Sequence, residues 1–523
     1  MRNLKPLVAV WVLLAAALVA DEAPPKIVAG PYLTGLEADR VTVSWETDQP
    51  TAGYVEATVL GERRRVAAPG SPALVHHVTL AGLPTATPCT YRVGLDGETT
   101  PFHTFTTAPP KGVPFRFAVY GDTRTNPRYH ARIAEAIRAH QPAFVVHTGD
   151  YATNGLARPQ WLAQFFAPAA ELLSECPIVP AMGTHERSAP PFYDYFAPPR
   201  ARVSLDWMLG QAAAYVRGDR AWFAWTCGDA EFFVLNSYAP STAGSPQRRW
   251  LDGALDASRA RWKIAVCHEP FFSSGRHGGS RTGRIEFLPV LLKYGVDLTF
   301  VGHDHIYERT LALRSGSEPS PNELVQIITG GGGAPLHKVT PSLWTAYTAS
   351  HRNFCIVDLD GDTLTVAAYN EADELSDCVV LRKRDGRRDF GEAVAANALE
   401  FLQYAQRFPT LTFPYVSRAP ASRAFRITVF NPYADEARGE LTWTTRGPTW
   451  AIDPPQQSVR IPPGGKAELA FTVAFSPPPE GQAPDPVPTA VMASGGMSVA
   501  VPGFAVEPPP KPKKPDPGPK PAP

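Results

Sequence analysis

The chain lacks an excess charge of either sign: its 523 residues carry 50 Lys+Arg against 50 Asp+Glu. Without a net basic field it has no electrostatic basis for holding a nucleic-acid scaffold. Cysteine is scarce, and Cys89, Cys176, Cys227, Cys267, Cys355 and Cys378 show no Cys-x-x-Cys spacing. That excludes a zinc ribbon and a disulfide-built scaffold, and no disulfide is expected. After Ala20 no apolar run is long enough to cross a bilayer, so no transmembrane segment is expected in the mature chain. A P-loop is also missing. The run Gly330-Gly331-Gly332-Gly333 follows the apolar Leu324–Ile328 without a Lys-Ser/Thr partner, and is expected to serve close backbone packing.

What is present is length, proline and punctuated apolar strands. A chain this long exceeds one hydrophobic core, and its 56 prolines point to many loops and β-modules. Arg2 and Lys5 precede the apolar run Leu7 to Ala20, then Asp21-Glu22. This pattern predicts a signal peptide over 1–20 and a secreted or periplasmic protein. From 27 to 108 short alternating strands such as Val41-Thr42-Val43-Ser44-Trp45 predict a β-sandwich. Leu83-Pro84 with Thr90-Tyr91-Arg92-Val93 resembles the tyrosine corner of fibronectin type III domains. The paired histidines His76-His77 lie in such a strand and are expected to be structural.

Residues 113–388 change rhythm to apolar strands separated by helical segments, an α/β domain. The expected strands are Phe115–Tyr120, Phe144–His147, Ile178–Met182, Phe232–Leu235, Lys263–Cys267 and Leu298–Val301. Asn126-Pro127 is expected to cap a helix carrying Ile133, Ala134 and Ile137 on one face. A bridging helix is expected over 389–408 and a C-terminal Ig-like β-sandwich over 409–506. That second sandwich shows no catalytic cluster and is a candidate contact for a surface or another protein. A Pro/Lys-rich extended tail is expected over 507–523.

Each strand of the α/β domain ends in a possible ligand. Gly121-Asp122 and Gly149-Asp150 deliver carboxylates; Gly183-Thr184-His185-Glu186, Cys267-His268 and Gly302-His303-Asp304-His305 follow. Open α/β sheets gather ligands at the carboxyl ends of their strands, so five such loops in order can converge on one site. Carboxylate oxygen and imidazole nitrogen suit Zn, Mn, Fe or Ni rather than Ca.

This order of motifs resembles the calcineurin-like metallophosphoesterases. The ending Gly302-His303-Asp304-His305-Ile306-Tyr307-Glu308-Arg309, with the fibronectin-like N-terminal domain, is most similar to their purple acid phosphatase branch. The resemblance covers roughly residues 27–385. It implies a β-sandwich core flanked by helices, and two divalent or trivalent metal ions (Fe, Mn or Zn). It also implies a small phosphorylated substrate, attacked in line by metal-bound hydroxide. Asp150 would bridge both ions; Asp122 and His305 would hold the first, and Thr184, His268 and His303 the second. His185 would be the proton donor to the leaving group, with His277, Glu186 and Arg276 as phosphate-pocket residues.

The chain departs from that pattern at three places. The tyrosine expected three residues after the second aspartate is Thr153, so no purple colour is expected. The histidine that other members place two residues after the first aspartate is Arg124, leaving Asn126 or a water as the substitute ligand. The asparagine of Gly-Asn-His-Glu is Thr184, a poorer neutral ligand. Phosphate monoesters are the expected substrates. A phosphodiesterase of the same fold and a catalytically weakened extracellular binding protein are the alternatives.

Overall fold

The computed structural model describes residues 24–70, 72–95, 97–196, 221–315, 322–384, 387–408, 410–414, 419–431 and 436–507. The expected leader at 1–20 and nearly all of the expected tail lie outside these residues. No helix among the described residues is long and apolar enough to cross a membrane.

Two sheets form the centre. The first runs in the order Ile178–Pro180, Val145–His147, Phe115–Tyr120, Asn353–Asp360, Thr363–Asn370, Leu375–Arg384 and Arg387–Asp389. Its first three strands are parallel and the rest antiparallel. In the second sheet Ala230–Val234, Trp262–Val266, Leu298–Val301 and Glu323–Thr329 lie parallel, flanked by antiparallel strands. Strands buried on both faces read as continuous apolar runs, which is why these were legible. The sheets meet through aromatic side chains: Phe117 stacks on Phe144 at 5.1 Å between centroids and meets Phe232 edge-on at 5.3 Å. The helix Pro127–Ala139 covers the outer face of the first sheet with Ile133, Ala134 and Ile137 buried, although Asn126 makes no side-chain cap.

Residues 27–106 form antiparallel sheets of three and four strands whose apolar faces join the same core as the central sheets. Trp45 is fully buried there, with His76 stacked on it at 4.7 Å. The Tyr91 hydroxyl does not turn back on its own chain as a tyrosine corner does. It donates to the Ser174 carbonyl at 2.7 Å, tying these strands to the helix Ala170–Glu175. Arg158 and the Tyr195 hydroxyl both bond the buried Glu46 across the same boundary.

The bridging helix is shorter than its sequence pattern predicts. Ala393–Ala395 is a strand paired parallel to Ala312–Arg314, and only Ala396–Gln406 is helical. An Ala-Val-Ala run is ambiguous in period, and an open sheet edge decided it. Beyond the helix, antiparallel sheets of three and four strands and a parallel pair share one apolar cluster with Phe401 and Leu402.

One buried group predicts the pH response of the fold. His130 is fully buried; its Nδ1–H donates to the Gln164 carbonyl at 2.8 Å, and its Nε2 has no partner. Burial lowers its pKa to about 4. A histidine depressed in the folded state contributes stability that is complete above its unfolded pKa of about 6.5 and is lost as pH falls toward 4. Urea unfolding at pH 7 and pH 4.5 should therefore show an acid loss that shrinks by about 2 kcal/mol in His130→Gln. An unchanged acid loss contradicts the assignment.

Candidate metal centre

Four strand ends and one loop deliver the side chains. Asp122 follows Phe115–Tyr120, Asp150 follows Val145–His147, His268 follows Trp262–Val266, and His303 and His305 follow Leu298–Val301. Thr184 and His185 lie in the loop after Ile178–Pro180. Asp122, Asp150 and His303 all have left-handed backbones, with φ of 56, 64 and 70°. Non-glycine residues rarely adopt this conformation, and here it turns each side chain back over the sheet ends. Two glycines are required by close approach: a Cβ on Gly183 would collide with the Asp150 backbone nitrogen, and one on Gly302 with the Asp122 carboxylate. The run Gly330–Gly333 packs as expected, with Gly332 N–H donating to Gly121 O at 2.9 Å and Ala334 N–H to Asp122 O at 2.8 Å.

Asp122, Asp150 and His268 are buried, and one ligand atom from each lies within 4.8 Å of the others. His268 Nδ1 faces the Thr148 carbonyl at 2.9 Å. A carbonyl only accepts, so Nδ1 carries the proton and Nε2 presents its lone pair. That lone pair stands 3.4 Å from Asp150 Oδ1, another acceptor, and has no hydrogen-bond partner. Asp122 Oδ1 is likewise buried without a partner. Facing acceptors in a buried site need a cation between them. Burial and the charge of Asp150 raise the Asp122 carboxyl well above its usual value. Burial also opposes ionisation of Asp150, but His268, His185 and Arg124 hold it down to about 2. Burial keeps His303 and His305 neutral, each with a pKa near 3.

His303 lies beside this group, its ring 5.2 Å from that of His268. Thr184 places its hydroxyl 3.2 Å from His303 Nδ1 and against the Tyr238 phenol. His305 lies 3.7 Å from Asp122 Oδ1. His185 donates Nδ1–H to the Thr153 carbonyl at 2.6 Å, which leaves Nε2 facing the half-open cleft, 3.7 Å from Asp150 Oδ2.

The phosphate-pocket reading of Glu186 is corrected. Its carboxylate is buried behind the Asp150 turn, accepting from the backbone N–H of Asp150 at 2.9 Å, Tyr151 at 3.0 Å and Gly183 at 3.1 Å. It positions the turn instead of meeting a ligand. His277 is exposed over the site, its ring 4.6 Å from that of His303, and Arg276 is exposed on the same loop. Tyr151 points away as expected, donating to Ala181 O at 3.0 Å. Three residues were missed by spacing. Tyr238 reaches Thr184, buried Asp304 accepts from His277 N–H at 3.0 Å, and His337 stacks on His305 at 4.2 Å. Only Asp304 carried a signal, as the residue between the two histidines.

Residues 115–307 match the family model of the calcineurin-like phosphoesterases. An uncharacterized protein of Mycobacterium tuberculosis is 29% identical over 363 residues, covering 56% of this chain and 66% of its own. Purple acid phosphatase 21 of Arabidopsis thaliana is 27% identical over 264 residues, covering 50% of this chain and 58% of its own. The structure of purple acid phosphatase PPD1 from yellow lupin (Lupinus luteus) superposes with a TM-score of 0.58 at 18% identity, covering 69% of this chain and 75% of that one. The chain thus spans less than two thirds of the length of these curated relatives. Over residues 115–307 it is similar to the calcineurin-like phosphoesterases, and among the relatives it resembles are purple acid phosphatases.

Proposed function

We propose that the chain is an exported, metal-dependent phosphoesterase that hydrolyses phosphate monoesters. The observation that carries this reading is the pair of facing acceptors, His268 Nε2 and Asp150 Oδ1, with the histidine tautomer set by the Thr148 carbonyl. Of the two ions the resemblance implies, one finds its donors in Asp122, Asp150 and His268, with His303 and Thr184 alongside. When bound, an Fe, Mn or Zn ion there supplies positive charge to the phosphate oxygens and lowers the pKa of water. The protein's own residues do the rest. Glu186 holds the Asp150 turn through its backbone bonds, and the Thr153 carbonyl orients His185 so that its imidazolium form, with a proton on both nitrogens, gives the Nε2 proton to the departing alkoxide and keeps the one on Nδ1. His277 and Arg276, exposed at the rim, supply charge and hydrogen bonds to the incoming phosphate.

Residues 27–108 and 409–506 are read as flanking β-sandwich domains, the second a contact surface for a partner, and residues 1–20 as an export leader. The bond from Tyr238 to Thr184 favours one rival, a weakened binding protein, because it occupies a hydroxyl that would otherwise serve as ligand. Turnover of p-nitrophenyl phosphate against bis(p-nitrophenyl) phosphate, on metal-loaded protein, separates the readings. The monoester should give the higher kcat/KM. A higher value for the diester indicates the phosphodiesterase, and metal-loaded protein that turns over neither is the binding protein.

A further inference from the structure

We propose that the guanidinium of Arg124 takes the place of one of the two ions, so that this centre holds a single metal ion and a fixed protein cation. The proposal rests on the metal-dependent reading above. Arg124 Nε donates to Asp150 Oδ2 at 3.2 Å, and its Nη2 lies 3.3 Å from His305 Nε2. The tautomer of His305 is set by the Pro335 carbonyl, 2.5 Å from Nδ1, so Nε2 is an acceptor and the guanidinium fills it. These are the two atoms through which Asp150 and His305 would hold a first ion. An arginine cannot lose its proton to make room.

The two halves of the site therefore differ. Around His268 the imidazole Nε2 has no hydrogen-bond partner, while on the other side the guanidinium meets both His305 Nε2 and Asp150 Oδ2, leaving only Asp122 Oδ1, 3.7 Å from His305 Nε2, without a partner. Thr153, the other position from which an extra ligand was expected, is also committed: its hydroxyl donates to Gln164 Oε1 at 3.0 Å and lies 3.3 Å from Thr125 Oγ1. The backbone holds Arg124 in place, its N–H donating to the Asp150 carbonyl at 3.3 Å, and the side chain is only 16% exposed. A second ion would have to share this space with a like charge. The Asp122 carboxylate is then a ligand of the ion that remains, one of its oxygens lying within reach of both Asp150 and His268.

The test is metal stoichiometry, read by elemental analysis and by electron paramagnetic resonance of Mn(II)-loaded protein. Wild type should retain one equivalent with the six-line signal of an isolated ion, and Arg124→His should retain two with a coupled spectrum. Two equivalents in wild type overturn the assignment of Arg124 while leaving the phosphoesterase reading intact. A single equivalent in both proteins also overturns it. No bound metal in wild type overturns the metal-dependent reading itself. If Arg124→His does not fold, Co(II) titration of wild type decides: an absorbance endpoint at one equivalent supports the proposal, and one at two overturns it.

Discussion

Asp150→Asn should abolish metal retention and phosphate-ester turnover together, with kcat/KM falling by roughly 10³-fold or more, the scale on which removing one preorganised electrostatic group acts. Asp150 is the most connected group of the centre: one oxygen faces His268 Nε2 at 3.4 Å and accepts from the His185 backbone N–H, while the other accepts from Arg124. Asparagine preserves its size and the left-handed turn at φ 64°, a conformation that it tolerates well. The substitution therefore removes charge without disturbing the backbone. Elemental analysis and p-nitrophenyl phosphate turnover on the same sample check it. Retained turnover in metal-free Asp150→Asn protein contradicts the mechanism.

His185→Ala should lower kcat by about 10²–10⁴-fold on an alkyl phosphate and by much less on p-nitrophenyl phosphate. The difference follows from the leaving group, since nitrophenolate departs without a proton and an alkoxide does not. His185 is oriented for this by its Nδ1 bond to Thr153 O at 2.6 Å and is not one of the buried acceptor pair. Metal content should stay at the wild-type level. Equal losses on both substrates would remove His185 from the proton-donor role and make it a residue that only shapes the cleft.

The central strands and the candidate side chains at their ends could be read from sequence because both follow local rules. An apolar run ended by glycine marks a buried strand and its turn, and the chain order of Asp122, Asp150, His268, His303 and His305 then brings them to one edge. What could not be read depends on contacts between distant segments. Spacing shows that Arg124 is not a histidine, but not that its guanidinium reaches His305 across 181 positions. Glu186 sits beside His185 in sequence and looks like a pocket residue, yet its side chain turns inward to the Asp150 backbone. Tyr91 has the local setting of a tyrosine corner, but a carbonyl of another element lies within its reach. In each case tertiary packing chose between alternatives that local sequence left equal.

The central claim is that turnover depends on an ion held by Asp122, Asp150 and His268. The most direct test is to measure phosphate-monoester hydrolysis by the same protein after exhaustive chelation and after reloading with Mn(II), Zn(II) or Fe. Activity lost with the metal and restored by at least one of these ions is the predicted result. Hydrolysis that persists in protein verified to be metal-free contradicts the account.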